Sequence, residues 1–309
     1  MGADVARRYR DQGHNICVWN RTASKAKVVC DEDFKGSCVM AEKVTDAISL
    51  CANGACIIIF LLEQATTDEM LRTEGIGAAL ADKVFVNLTA GTPDETRETH
   101  KLLKCITGNE SVKFLDGAIS GHNTAARKGE AAVWVSSDKK ETFEEVRDCL
   151  LEMGRAIFVG PVGASKALNY GVTDLLVHSL FSFFSNAWML EEEGVDMDIF
   201  FKEATKKFEA PPHSFKELLP RMTAMREQGD YTTDPYFTLD VLQTYLKPRT
   251  TYEEAHGKPF LFNELCLKMV EDAMGGSPDL PHKAACVTRL QEVMRYSDSS
   301  TNLKRRRIT

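Results

Sequence analysis

The sequence lacks several features that would each point to a particular class of protein. Its most apolar segment, residues 55–62, is far shorter than the roughly 18 residues that a membrane span needs. The formal net charge of −7 argues against generic nucleic-acid binding, which requires a basic face. The nine cysteines include no C-x-x-C, and their odd number argues against a disulfide framework. No signal peptide precedes the first helical pattern. We therefore predict a soluble protein of the cytoplasm, with no metal site and no nucleic-acid or membrane partner.

What is present is an ordinary globular composition, with 43% hydrophobic and 27% charged residues in a chain of 309. That length suggests two domains. Up to residue 162, short apolar runs typical of strands alternate with helical patterns, and this alternation predicts an α/β domain with a Rossmann-type, doubly wound parallel sheet. The predicted strands are residues 15–19, 56–62, 84–88, 113–116, 132–136 and 156–159.

The second predicted domain, residues 163–296, contains only helical patterns. It begins with a helix of roughly 25 to 30 residues, against a typical length of about 11 or 12. Further helices are predicted near 197–208, 214–228, 236–247, 259–274 and 282–296, separated by prolines that include Pro248. The polar tail, residues 297–309, ends in a basic run and is predicted to be disordered.

A doubly wound domain usually holds a dinucleotide at a G-x-G-x-x-G turn between its first strand and first helix. Here only Gly2 can belong to such a turn, as its last glycine. We expect that the sequence is truncated at its start and that the first strand is missing. A buried slot should then separate strands 15–19 and 56–62, and the chain as written should bind cofactor poorly, because unpaired backbone groups in such a slot are costly.

The other half of the nucleotide site is recognisable after strand 15–19. This strand ends in Asn20, Arg21 and Thr22, and Lys25 follows three residues later. A carboxylate at this point would bind the ribose 2′-hydroxyl of NAD, whereas a guanidinium, a hydroxyl and an ammonium suit a 2′-phosphate. We therefore predict NADP(H) as the cofactor. The alternative is an ordinary solvated turn.

Four segments together resemble one family. They are GHNICVWNRTASKA, VFVNLTAGTPDETRE, FLDGAISGH and VGPVGASKALN, in the order expected for the β-hydroxyacid dehydrogenase superfamily. This superfamily includes the 3-hydroxyisobutyrate dehydrogenases and the imine reductases, and VNLTAGTP and LDGAI are most similar to the imine reductase branch. The resemblance covers residues 2 to about 195.

The resemblance implies roles for individual residues. Leu61 and Leu62 would flank the cofactor, and Thr89 would approach the nicotinamide ribose. The group Ser120, Gly121 and His122 occupies the position where the dehydrogenases bind a substrate carboxylate through Ser-Gly-Gly, so that His122 departs from the pattern. The resemblance also implies a homodimer formed through the C-terminal helices.

The long helix carries the candidate proton donors. Lys166, Asn169 and Tyr170 share one helix face because they are three and four residues apart. Lys166 and Asn169 match the K-x-x-N of the family's catalytic helix; Lys166 would act as general acid with a lowered pKa, and Asn169 would hold the substrate oxygen. Tyr170 is the rival donor, because the run from Gly163 to Lys166 is one residue shorter than usual. Ser120 completes the predicted catalytic set.

Two functions are compatible with these patterns. The first is an NADPH-dependent oxidoreductase that acts on a small hydroxyacid, carbonyl or imine. The second is a catalytically impaired or non-catalytic member of the family that serves as a dimerisation or scaffold module. The missing glycine turn, the shortened run before Lys166 and the pair Thr244-Tyr245, where the dehydrogenases usually have Lys-Asp, favour the second.

Overall fold

The computed structural model describes residues 1–32, 36–52, 56–59, 63–109, 112–121, 123–209, 224 and 239–275. The chain divides into two compact units, Met1–Ser179 and Leu180–Thr309. In the first unit the strands are β1 Ile16–Val18, β2 Cys38–Met40, β3 Cys56–Ile59, β4 Val84–Asn87, β5 Phe114–Ser120, β6 Ala131–Ser136 and β7 Gly154–Gly160. The helices are α1 Gly2–Asp11, α2 Ala23–Cys30, α3 Val44–Ser49, α4 Gln64–Leu71, α5 Ile76–Ala79, α6 Pro93–Thr107, α7 Asn123–Lys128, α8 Lys140–Leu151, α9 Ala164–Glu192, α10 Met197–Glu209, α11 Leu239–Ala255 and α12 Leu261–Gly275.

The first unit has the predicted α/β architecture, but its strands form two sheets. Among the described residues, β1 pairs only with β2, and the order β3-β4-β5-β6-β7 makes a separate five-stranded sheet. The pairings β1–β2, β3–β4 and β4–β5 are parallel. A classic doubly wound order, 3-2-1-4-5-6, places one strand between the equivalents of β1 and β3. The predicted separation of these two strands is therefore present.

The direction of β6 differs from the prediction of an all-parallel sheet. Trp134 of β6 lies opposite Ala118 of β5 in an antiparallel pairing, and β7 then runs parallel to β6. The reason is the length of the connection. Only residues 121–130 join β5 to β6, whereas a parallel crossover needs about a dozen residues or more.

The core of the first unit lies on both faces of the five-stranded sheet. Every residue of β4 and β6 is buried, as their unbroken apolar runs predict. On one face Val86, Leu115 and Val133 pack against α1 and α8. On the other face Phe85 and Phe114 pack against α4, α5 and α6. Neighbouring strand residues therefore point alternately into two cores, which fixes the register of the sheet.

The start of α6 follows directly from its sequence. Thr92 accepts a hydrogen bond from the backbone N–H of Glu95, and the Glu95 carboxylate accepts one from the backbone N–H of Thr92. Pro93 occupies the first helical position, where no N–H is needed. This capping box fixes the turn that immediately follows β4.

Two arginines of helix α1 connect it to residues that follow β1. The buried Arg10 donates hydrogen bonds to the backbone oxygens of Val29, Glu32 and Gly36. Arg7 forms an ion pair with the Glu32 carboxylate at 2.6 Å. These contacts join α1 to the segment between α2 and β2.

One disulfide closes that same segment. Cys30, at the end of α2, is bonded to Cys38, at the start of β2, with a Cα–Cα distance of 5.1 Å. Five other described cysteines are free. A disulfide framework joins distant parts of a chain, whereas this bridge links only the neighbouring elements α2 and β2.

The second unit consists of helices in its described part. Leu239, Leu246, Val270 and Ala273 form a core between α11 and α12. Contrary to the predicted boundary, Pro248 lies inside α11. A proline inside a helix costs about 3 kcal/mol. Beyond the proline, Arg249 and Glu253 form a buried ion pair with an Nε–Oε1 distance of 2.7 Å.

The predicted helices near 214–228 and 282–296 and the predicted tail 297–309 lie outside the described residues. Among the helices that the structure describes, none combines the length and the apolar character that crossing a bilayer requires.

Candidate active site

The nucleotide turn after β1 is preformed and positively charged. The Asn20 side-chain oxygen accepts a hydrogen bond from the backbone N–H of Thr22 at 2.9 Å, which closes the turn at the start of α2. Arg21 is exposed, and so is Lys25 one helical turn along. The structure thus brings together the four residues predicted to surround a 2′-phosphate.

The pyrophosphate of a dinucleotide would have fewer candidate contacts among the described residues than the 2′-phosphate. Gly2 lies in the first turn of α1, whose N-terminal N–H groups are of the kind that bind phosphate. No glycine-rich turn joins a strand to this helix in the part of the chain that the structure describes. The described residues that could hold a nicotinamide dinucleotide are therefore the turn after β1 and the start of α1.

Thr89, the predicted neighbour of the nicotinamide, follows β4 and is fully buried. Its hydroxyl lies 3.1 Å from that of Thr67, and its backbone N–H donates to the Asn87 side chain at 3.1 Å. Asn87 in turn donates to Gln64 at 3.0 Å. These contacts hold the segment after β4 rigidly in place. The predicted cofactor contacts Leu61 and Leu62 lie outside the described residues.

The predicted substrate group follows the neighbouring strand. Ser120 is the last residue of β5 and is half-buried. Gly121 has a φ of +135°, a conformation that favours glycine, and an added Cβ would lie 3.2 Å from that of Ala125. His122 lies outside the described residues. The carboxyl ends of β4 and β5 meet at one edge of the sheet because these strands are parallel.

Helix α9 begins close to this edge. Gly163, with a φ of +95°, lies directly before it, and an added Cβ would meet the Arg97 guanidinium at 2.7 Å and the Pro93 carbonyl oxygen at 3.1 Å. Lys166, Asn169 and Tyr170 follow on one face of the helix, as predicted. Their exposures differ, however: Lys166 is 2% exposed, Asn169 is half-buried and Tyr170 is 43% exposed.

The Lys166 ammonium is enclosed by protein oxygens. Nζ donates to the Thr89 carbonyl oxygen at 2.7 Å and to the Gly117 carbonyl oxygen, and it lies 3.1 Å from Asp116 Oδ1. Burial lowers the pKa of Lys166 below its usual value, because desolvation of the ammonium outweighs its attraction to Asp116. The lowered pKa was expected from the sequence, whereas this set of partners was not.

Sequence reasoning missed Asp116 as a functional candidate. This carboxylate is fully buried in β5, where it accepts a hydrogen bond from Ser165 Oγ at 2.6 Å. The hydroxyls of Ser136 and Thr96 lie 3.2 and 3.4 Å from its oxygens. The sequence did contain a signal that could have identified it: Asp116 is an acidic residue within the otherwise apolar segment FLDGAIS. A charge buried in a strand requires a partner, so a nearby cation should have been sought.

The arrangement places the ends of β4 and β5 and the first turn of α9 together at one edge of the sheet. Open α/β sheets bind ligands at the carboxyl ends of their strands. Within the described residues no cluster of side chains is suited to hold a metal ion. Proton transfer at this edge would depend on the hydroxyl, amide and ammonium groups named above.

A family model described as the NAD binding domain of 6-phosphogluconate dehydrogenase matches residues 1–161, more than half of the chain. The chain belongs to this family. The predicted relationship to the β-hydroxyacid dehydrogenase superfamily is confirmed, as is the prediction of an oxidoreductase family.

Individual proteins extend this comparison. An NADPH-dependent reductive aminase from Aspergillus oryzae is 29% identical over 196 residues, which are 63% of this chain and 62% of that protein. The cytokine-like nuclear factor N-PAC from Xenopus tropicalis is 25% identical over 166 residues, 53% of this chain and 29% of that protein. The chain thus spans less than two thirds of the length of either relative.

A solved structure shows the fold over nearly the whole chain. The imine reductase from Myxococcus stipitatus, in complex with NADP+, superposes with a TM-score of 0.78 at 20% identity, covering 95% of this chain and 96% of that one. The predicted Rossmann-type unit followed by helices is therefore confirmed.

Proposed function

We propose that this protein is an NADPH-dependent reductase that transfers hydride to a small imine or carbonyl, or takes it from the corresponding amine or hydroxyacid. The observation that carries the proposal is the contact between Lys166 Nζ and the Thr89 carbonyl oxygen at 2.7 Å. It joins the end of a central parallel strand, where α/β folds bind ligands, to the helix that bears the candidate proton donors. The similarity to a reductive aminase supports the same reaction class.

The cofactor would be held chiefly at its 2′-phosphate. Arg21 and Lys25 supply positive charge, and Thr22 supplies a hydroxyl at the start of α2. Thr89 would lie near the nicotinamide ribose, with Leu61 and Leu62 beside it. When bound, the nicotinamide supplies the hydride, and the protein must supply the proton.

The substrate would lie over the ends of β4 and β5. Ser120 and the backbone N–H of Gly121 would orient it, with His122 narrowing the pocket beside them. Asn169 would donate a hydrogen bond from its amide to the substrate oxygen or nitrogen. Its half-buried position on α9 is compatible with this contact.

Between the two candidate proton donors, we favour Tyr170. Lys166 already donates all three of its protons within the protein, and a general acid must reach the reacting atom at about 2.6–3.2 Å. Tyr170 lies one helical turn further along the same face with its side chain exposed.

We propose a homodimer, formed through α9, in which every residue from 170 to 181 is exposed. Its apolar side chains recur at helical spacing and include Leu176 at 62% and Phe184 at 65% exposure. These exposed apolar residues of α9 include Leu168, Val172, Leu175, Leu176, Leu180, Phe181 and Phe184. Exposed apolar patches of this kind mark interaction sites. A second copy here would also exclude water around Tyr170, which strengthens its polar contacts.

The dimer is tested by sedimentation. Leu176→Glu should convert dimers to monomers, whereas Val28→Glu, at an equally exposed apolar position on α2, should leave the dimer intact. A wild-type chain that sediments as a monomer at micromolar concentration would overturn this part of the proposal. The cytoplasm remains the predicted compartment.

A second candidate is a non-catalytic scaffold module. The similarity to N-PAC, whose name is that of a nuclear factor, favours it. Thr244 and Tyr245, which stand where dehydrogenases have Lys-Asp, are both exposed on α11.

One titration separates the two candidates. The full chain is titrated with NADPH and NADH by fluorescence and then assayed for NADPH oxidation with a small cyclic imine, and with a ketone in the presence and absence of a primary amine. The reductase proposal expects saturable NADPH binding and substrate-dependent oxidation. Absence of NADPH binding would overturn it and favour the scaffold module.

A further inference from the structure

Asp116 is an unusual residue for the middle of a strand. The strand β5 runs through the core, and the Asp116 carboxylate is 0% exposed. Ionised carboxylates are strongly disfavoured in such surroundings unless they are paired and hydrogen-bonded. Here Ser165 Oγ donates to Oδ2 at 2.6 Å, and the hydroxyls of Ser136 and Thr96 lie close to the two oxygens. The site is therefore built around a negative charge.

The matching positive charge comes from Lys166. An ammonium has three protons to donate, and three oxygens surround this one: Asp116 Oδ1 and the backbone oxygens of Thr89 and Gly117. Any proton redirected to a substrate would leave a buried carbonyl or carboxylate without its partner, which is costly. The local geometry therefore suits a fixed ammonium better than a mobile proton donor.

Lys166 and its partners together belong to three different structural elements. Thr89 follows β4, Gly117 lies in β5 three residues before Ser120, and Lys166 itself is in the first turn of α9, four residues before Tyr170. Gly117 leaves no space for a side chain, because an added Cβ would lie 2.4 Å from Leu88 Cδ2. One ammonium thus fixes the relative positions of the cofactor, substrate and proton-donor segments.

We propose that Asp116 and Lys166, here called the clamp, are positioning residues: Asp116 holds the Lys166 ammonium, and Lys166 ties the segments after β4 and β5 to α9 so that Tyr170 is aimed at the substrate. This inference rests on the proposed reductase function. It gives Asp116 a role that the surrounding motif does not indicate. It also makes Lys166 a positioning residue instead of the proton donor.

The test compares three variants of the clamp in the full chain. Lys166→Met and Asp116→Asn each leave one buried charge unpaired, whereas the double variant removes both charges and keeps the volumes similar. The matched control is Lys101→Met, which removes an exposed lysine paired only with Glu98 on α6. Each protein is examined by thermal unfolding before any kinetic measurement.

The decisive readout is the pH profile of kcat. If Lys166 were the general acid, the fall of kcat at alkaline pH, here called the alkaline limb, would reflect loss of the proton from its ammonium. That limb would shift to lower pH in Asp116→Asn and would vanish in Lys166→Met. The clamp instead predicts that kcat falls by about 100-fold, as for a misplaced reacting group, while the limb stays at the same pH in every clamp variant that folds. The limb should vanish in Tyr170→Phe.

A second readout needs no turnover. Hydrogen exchange in residues 88–91 and 117–121 should accelerate at least tenfold in the double variant and stay unchanged in Lys101→Met. Unchanged exchange in the double variant would overturn the clamp, as would an alkaline limb that moves in Asp116→Asn.

The two proposals fail in different ways. A wild-type chain that binds no NADPH overturns the reductase, and the positioning role falls with it even if the exchange result shows a tether. A reductase whose alkaline limb follows Lys166 leaves the function intact and overturns only the clamp.

Discussion

Replacement of Arg21 by alanine should weaken binding of a ribose 2′-phosphate without affecting an unphosphorylated ribose. Arg21 is exposed at the turn between β1 and α2, and among the described residues no carboxylate is paired with it. The turn itself is closed by the Asn20–Thr22 hydrogen bond, which the substitution leaves in place. The loss should therefore be confined to the guanidinium.

The expected magnitude follows from the exposure of the site. A hydrogen bond to a charged group contributes about 1.5–3 kcal/mol, and solvent screening at an exposed turn reduces this to roughly 1–2 kcal/mol. That range corresponds to about 5- to 30-fold in Kd. Lys25 remains in the variant, so binding of the phosphate should be weakened rather than abolished.

The assay uses fragments of the cofactor, so that the pyrophosphate and nicotinamide ends do not contribute. Calorimetric titrations with adenosine 2′,5′-bisphosphate and with 5′-AMP are compared between wild type and Arg21→Ala. Only the bisphosphate should lose affinity. Lys27→Ala is the control, since Lys27 lies on the same helix but is paired with Asp31. Equal losses for both nucleotides, or none for the bisphosphate, would refute the assignment of this turn.

Three further predictions concern stability. Arg10→Met should lower the free energy of unfolding by about 2 kcal/mol or more, because the buried carbonyls of Val29 and Gly36 lose their donor at about 1–3 kcal/mol each, as urea unfolding would show. Glu253→Gln should cost about 3–5 kcal/mol, since Arg249 is left buried without its counter-charge, whereas the exposed Glu203→Gln should cost almost nothing. Burial lowers the pKa of Lys166 from its usual 10.5, so the unfolded chain binds more protons between the lowered value and 10.5. The comparison is between the wild type and the double variant Lys166→Met/Asp116→Asn. The difference in their unfolding free energies should therefore rise with pH over that alkaline interval, and a difference that stays constant with pH would contradict the desolvation of Lys166.

Much of the first unit could be predicted from local pattern alone. The apolar run Val84–Val86 identifies a strand buried on both faces, and Thr92, Pro93 and Glu95 mark the helix start behind it. The face shared by Lys166, Asn169 and Tyr170 follows from spacing along a helix. In each case the relevant interactions lie within a few residues, so the sequence itself records them.

Other features depended on contacts between distant residues. The antiparallel direction of β6 depends on a ten-residue connection that contains the short helix α7, and the strand β2 has too short a pattern to recognise. Pro248 lies inside α11, although a proline at this point of the sequence predicts the end of a helix.

The candidate site shows the same division most clearly. Composition and spacing identify Lys166 as a lysine near the start of a long helix. Only the tertiary structure brings Asp116, 50 positions earlier, and the carbonyls of Thr89 and Gly117 to its ammonium. Burial and charge pairing act through space and leave no periodic trace along the chain. The sequence therefore determined which side chains share a helix face, whereas the fold decided which of them is enclosed as a support and which remains open to a substrate.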